Sequence, residues 1–405
     1  MIHYMTADGI GSPWVGNELG RVQAAGIPFK LHALRAPEKV AHEAEWAQRI
    51  NRETNSIYPL PPLRFAASLV RAPLAFGGRY FAALGNALFG RRETPRARIA
   101  ALFHFFVAAH WALGERQARP DLIHSQWAHS GGSVAMYGAW LLDVPFSFTG
   151  HAVDLFRQRV ALRDKIERAA FIVCISEFHR QFYIDNGADP AKLIVVYCGI
   201  DLSLFKPVER TGDRDLFTIV SAGRLIEKKG FRYLIEACAK LRDQGLRLRC
   251  VIGGSGPDEA ELRGLVRACA LEDVVSLTGE ALKQERIPEF MAQGDVFCLP
   301  CVWAKDNDVD GLPQLLMEAM ACGLPAVSTR LVGIPDLIVD RKSGLLVEPE
   351  NVEDLAKALR FAMEHPEEMK MLVAGGHAHL KDRFDLSDCL EPLLDQYRQR
   401  LTAAG

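Results

Sequence analysis

No stretch of this chain has the basic start, apolar middle and small-residue cleavage site of a secretory leader. It begins Met-Ile-His-Tyr and runs directly into a strand-like segment, so no leader is expected. No apolar run reaches the length that crosses a bilayer, so no membrane span is expected either. Charge of one sign is lacking: 48 Lys and Arg stand against 50 Asp and Glu, a net −2. That excludes a whole-chain basic field for nucleic acid and leaves any anionic partner to a local patch. The nine cysteines are scattered and odd in number, which fits a reducing, cytoplasmic setting. Cys298 and Cys301 have C-x-x-C spacing, but no second pair or nearby histidine accompanies them, so they read as strand-end packing. A complete dinucleotide fingerprint is missing too. In Gly254-Ser-Gly256 the third glycine is replaced by Glu259, and Gly9-Ile-Gly11 fails in the same way at Trp14. Both failures count against a nicotinamide-dependent oxidoreductase.

What is present is alternation. The 405 residues, 49% of them apolar, suffice for two or three domains. Strand-like runs are expected at Met1–Thr6, Phe29–Leu34, Leu122–His124, Phe146–Thr149, Phe171–Ile175 and Leu193–Tyr197. A second set follows at Phe217–Ala222, Leu248–Gly253, Val274–Thr278, Val296–Leu299, Ala326–Thr329 and Gly344–Val347. Helical stretches lie between them, which points to two α/β domains with parallel sheets. The expected limits are 1–205 and 206–380, with a linker over Asp201–Asp215 and a charged helical tail, 381–405, long enough to pack back on the first domain. Residues 58–119 break the alternation. There Arg64, Arg71, Arg79, Arg91 and Arg92 are interleaved with apolar residues such as Leu63, Val70, Leu74, Phe81 and Phe89. This pattern suits an interfacial helix on anionic lipid, and equally an amphipathic insertion packed on its own domain with a solvated basic face.

Four constellations carry chemistry. In Asp310-Gly311-Leu312-Pro313-Gln-Leu-Leu-Met-Glu318, Pro313 suits the first helical position. Asp310 then precedes the helix and Glu318 lies inside it, two carboxylates for sugar hydroxyls beside a helix start that favours phosphate. In Gly223-Arg224-Leu-Ile-Glu227-Lys-Lys229-Gly230, Arg224 and Lys229 fall at the carboxyl end of a strand, where open α/β sheets bind ligands. They could offset charge on a leaving diphosphate; alternatively, Arg224 and Lys229 form ordinary surface ion pairs with Glu227. Gly254 lets backbone approach a ligand closely. His151, at the end of Phe148-Thr-Gly-His151-Ala-Val-Asp154, could orient an acceptor or hold a proton, or be a structural histidine bonded to backbone. Asp306-Asn-Asp308-Val-Asp310-Gly311 begins like a calcium loop, but Met317 replaces its closing glutamate, so it reads as a polar loop.

These segments, with Val327-Ser-Thr-Arg-Leu-Val-Gly-Ile-Pro-Asp, Ile175-Ser-Glu-Phe-His-Arg and Gly199-Ile-Asp201, resemble the retaining family 4 glycosyltransferases, in particular the bacterial exopolysaccharide and colanic-acid-type branch. The resemblance implies a GT-B fold, with two doubly wound Rossmann-like domains facing across a cleft, the first binding an acceptor and the second a nucleotide-sugar. It implies that Arg224 and Lys229 hold the diphosphate of a UDP- or GDP-sugar, that Glu318 bonds the ribose, and that Asp310 bonds the transferred hexose. Gly223, Gly254, Gly311, Leu312 and Pro313 would border the donor. His151 would sit beside the reacting groups, and Gly11 near the acceptor or the diphosphate. The family usually has Glu where this chain has Asp310, one methylene shorter. The implied reaction retains configuration, uses a saccharide or lipid-linked saccharide acceptor, and requires no metal or cofactor. A cytoplasmic enzyme, peripheral at the inner face of the plasma membrane, is the implied setting. A sugar-nucleotide epimerase or hydrolase on the same fold is the nearest rival.

Overall fold

The computed structural model describes residues 1–37, 44–157, 159–211 and 215–402. Residues 212–214 of the expected linker and 403–405 of the expected tail lie outside the described residues. The chain divides into two compact units, Met1–Tyr197 with Leu390–Gly405, and Cys198–Cys389.

The first unit is built on a parallel sheet: β1 (Ile2–Thr6), β2 (Phe29–Ala33), β3 (Asn55–Ser56), β4 (Leu122–Ser125), β5 (Phe146–Gly150), β6 (Phe171–Cys174) and β7 (Leu193–Val195). Their spatial order is β3-β2-β1-β4-β5-β6-β7. Tyr4 is in register with Leu31 on one side and with His124 on the other. β1, β4, β5 and β6 are buried along their whole length, which is why they are rich in apolar residues. β3 escapes such reading because both its residues are polar and exposed at the sheet edge.

The second unit has β8 (Phe217–Ala222), β9 (Leu248–Gly253), β10 (Val275–Leu277), β11 (Val296–Leu299), β12 (Ala326–Thr329) and β13 (Leu345–Val347), in the order β10-β9-β8-β11-β12-β13. In each sheet the order reverses beside the first strand, between β1 and β4 and between β8 and β11. Ligands of open α/β sheets bind at the carboxyl ends of strands at such switch points.

Helices of the first unit include α1 (Pro13–Ala24), α2 (Pro62–Phe76), α3 (Gly78–Phe89), α4 (Pro95–Glu115), α5 (Ser130–Leu142) and, from the end of the chain, Glu391–Thr402. The terminal helix is held by the Tyr397 hydroxyl, 2.7 Å from that of Tyr4, which also donates to the buried Glu18 at 3.2 Å. One expectation is corrected at α4: by length and composition it is apolar enough to cross a bilayer. Half of its most apolar stretch is buried inside the unit, and Phe105, Ala108, Trp111 and Ala112 join the core. Trp111 packs so closely on α5 that a Cβ at Gly138 would lie 2.6 Å from its ring.

The other face of the insertion is bare. Leu63, Val70, Leu74, Phe81, Phe89 and Ile99 are each more than 60% exposed. Arg64, Arg71, Arg79 and Arg91 are exposed as well, Arg79 within 2.9 Å of Asp143. Arg92 departs from the expectation that grouped it with them. Its side chain is 1% exposed, paired with Asp164 at 2.7 Å and hydrogen-bonded to Tyr137 at 3.0 Å. A guanidinium spent on a buried carboxylate is an internal anchor, so Arg92 is not a surface contact.

Candidate active site

In the second unit, Gly223 follows β8, a short 3-10 turn spans Glu227–Lys229, and α6 (Phe231–Asp243) comes after it. The turn is pressed against the next strand–helix loop. Gly223 donates to the Gly253 carbonyl at 2.9 Å, and Leu225 to that of Ser255 at 3.0 Å. A Cβ on Gly254, which has φ 144°, would lie 1.9 Å from the Gly223 oxygen, so this approach needs glycine.

β11 delivers the loop that carries Asp310, and α7 (Gln314–Ala321) starts after it. Pro313 stands at the N-cap rather than at the first helical position expected. Gly311 is fixed by the Gly333 amide at 3.0 Å, and Leu312 follows it, half-buried. Asp310 meets two lysines: Lys229 hydrogen-bonds one carboxylate oxygen, and Lys228 lies 3.1 Å from the other. Burial pushes the Asp310 carboxyl up, but the two ammonium groups outweigh it and hold the carboxyl below its ordinary range. Lys229 is affected in mirror image: burial lowers it, and Asp310 raises it further. Lys228 escaped the sequence reading; its signal was the adjacent lysine pair on a turn, which lets both side chains reach one carboxylate. Lys228 also reaches Asp308 at 3.1 Å, so two of the three carboxylates that resembled a calcium loop face lysines.

Glu318 is 5% exposed, and burial raises its carboxyl to about 7. Arg224 is exposed and has no ion pair among the described residues. Glu227, expected as its alternative partner, lies near Lys305 instead, 3.8 Å away. The fold therefore gathers Gly223, Gly254, Lys229 and Asp310 at the β8/β11 switch point. Glu318 lies one helix turn beyond Pro313.

In the first unit, His151 follows β5. Its ring lies 4.7 Å from Trp127 and 5.8 Å from Trp14, centroid to centroid. Burial lowers its pKa to about 4, against a hydrogen bond to the Gln126 backbone, so the imidazole is neutral at pH 7. Nε2 is buried without a partner among the described residues. Asp154 does not bond this imidazole. Its carboxylate accepts the backbone N–H groups of Ala128 (3.0 Å) and His151 (3.2 Å), and so ties the loops after β4 and β5 together. Gly11, in the loop after β1, donates to the Asp8 carbonyl at 3.1 Å.

His3, His32 and Glu115 have the mutual spacing of a metal site. The hydrogen bonds argue otherwise. The Trp111 indole, a donor only, gives its N–H to His32 Nδ1 at 3.1 Å. The His32 proton therefore sits on Nε2 and is donated to His3 Nδ1 at 3.2 Å. Both nitrogens that would face an ion are thus engaged with each other, and Glu115 takes Lys30 at 2.8 Å.

The family profile described as glycosyl transferases group 1 matches residues 207–378, and that of Glycosyltransferase Family 4 matches 79–204. WcaL of Escherichia coli K12, ascribed to colanic acid biosynthesis as a glycosyltransferase, is 41% identical over 173 residues, 43% of this chain and 42% of WcaL. The chain thus spans less than half the length of this curated relative. The D-inositol 3-phosphate glycosyltransferase of Saccharomonospora viridis is 32% identical over 315 residues, 70% of this chain and 71% of that protein. Among solved structures, Anabaena HepE in complex with UDP superposes with a TM-score of 0.71 at 16% identity, covering 99% of each chain.

Proposed function

This chain belongs to the family 4 glycosyltransferases of the GT-B fold, and we propose that it moves a hexose-type sugar from a UDP- or GDP-sugar, with retention, onto a lipid-linked saccharide during exopolysaccharide or cell-surface glycan synthesis. The observation that carries this reading is the Lys228–Asp310–Lys229 cluster at the β8/β11 switch point. The relatives reported above support it: one is ascribed to colanic acid synthesis, and HepE was crystallised with UDP.

In this reading Lys229, Lys228 and Arg224 meet the negative charge that grows on the departing diphosphate, a stabilisation that is largest in the transition state. That positive charge makes a metal ion or cofactor unnecessary. Asp310 accepts hydroxyls of the transferred sugar, and Glu318 those of the ribose. The acceptor hydroxyl forms its bond to the anomeric carbon on the face from which the diphosphate leaves, and its proton passes to the leaving oxygen. Neutral His151 orients the reacting hydroxyls. The exposed apolar residues of α2, α3 and α4, with Arg64, Arg71, Arg79 and Arg91, seat the protein peripherally on the anionic inner face of the plasma membrane.

The test is turnover of a panel of UDP- and GDP-sugars by the wild type and by Lys229→Ala. One donor should be consumed, and the variant should lose about 100-fold or more of that rate. Equal turnover by the variant would remove the donor-site assignment.

A further inference from the structure

A cavity of about 550 Å³ lies wholly within the first unit, at the carboxyl ends of its strands and against the insertion. Trp127, Tyr58 and Phe103 form its aromatic wall, the last two with nearly parallel rings, 4° apart. His104, on α4, lines it as well, and one of its ring nitrogens has no partner among the described residues. The residue is 6% exposed and Nδ1 is buried without a hydrogen bond. The Trp127 indole N–H is unpartnered in the same way. Arg35, His129 and Ser130 add polar groups to the lining, which suit a ligand with hydroxyls.

The wall also narrows the ligand's chemistry. Among the described residues Arg35 is the one lining cation of fixed charge, and burial lowers the pKa of both His104 and His129, so the described lining lacks the paired charges a diphosphate needs. Asp154 is already spent on backbone N–H groups. A lipid tail would leave the polar groups of Arg35, His129 and Ser130 facing hydrocarbon. A neutral pyranose, with C–H faces for the aromatic wall and hydroxyls at its edge for the polar lining, suits the cavity. Trp127 stands between this cavity and His151, since its ring contacts that imidazole while the residue lines the cavity.

We propose that this cavity holds a pyranose of the acceptor one unit removed from the sugar that reacts beside His151, so that the acceptor is at least a disaccharide. The inference rests on the transferase reading above and adds the acceptor's length and chemistry. The experiment uses the full chain and the donor found in the turnover screen, with octyl glucoside against octyl maltoside and octyl galactoside against octyl lactoside as acceptors. In at least one pair the disaccharide should have about tenfold higher kcat/KM. Phe103→Ala and Tyr58→Ala should each erase most of that advantage through KM, while the thermal shift produced by UDP or GDP persists. Equal use of both members of each pair would overturn the inference, as would variants that lower mono- and disaccharide transfer by the same factor. Failure of every donor to turn over would count against the transferase reading instead.

Discussion

Asp310 keeps its charge in a nearly closed setting because Lys228 and Lys229 meet its two oxygens from one turn. Glu318 has no such neighbour, and burial alone sets its behaviour. Its carboxyl rises from 4.5 to about 7 on folding, so between those values the folded protein holds more protons than the unfolded chain. Stability attributable to Glu318 is therefore greatest below about pH 4.5 and falls as pH rises through about 7. Glu318→Gln removes that slope. Its ligand-free melting temperature should exceed the wild type's by several degrees at about pH 8 and match it at about pH 4, while the stabilisation by nucleotide shrinks. A melting temperature equal to the wild type's at the higher pH would contradict the burial argument. At this scale the sequence was legible as to place: Asp310, Lys229 and His151 stand, as expected, in segments that follow strands. It was silent about Lys228, whose role depends on a turn of backbone, and about Asp154, which serves backbone rather than imidazole.

The insertion shows how one pattern of arginines and apolar residues serves two ends. Arg92 anchors the α3–α4 junction internally through Asp164, whereas Arg64 and Arg71 face outward among bare apolar side chains. Breaking the buried pair with Asp164→Ala should cost about 3–5 kcal/mol, measured by chemical denaturation, because Arg92 is left charged and unpaired. Reversing charge at Arg64 and Arg71 together should leave the denaturation curve in place and weaken binding to anionic liposomes, most visibly at low salt. Wild-type liposome binding by that double variant would remove the membrane assignment. Spacing alone did not separate these arginines, since it does not say that a residue between two helices meets a carboxylate 72 residues later. The same limit applies to α4, whose composition suits a bilayer and whose neighbours make it a core helix.

At the scale of the molecule, alternation of strand-like and helix-like segments was enough to recognise two parallel sheets, because buried parallel strands are rich in apolar residues. Two-residue β3 gave no such signal, being polar and exposed. The topological switch points, which decide where ligands sit, follow from strand order, and no local pattern encodes that order. The central claim is that the β8/β11 switch point takes the diphosphate of a nucleotide-sugar. Isothermal calorimetry of UDP, GDP and NAD against the wild type and Lys228→Ala/Lys229→Ala tests it most directly. UDP or GDP should bind the wild type without added metal, NAD should not, and the double variant should bind that nucleotide at least about tenfold more weakly. Binding of NAD alone, or nucleotide binding untouched by loss of both lysines, would contradict the claim.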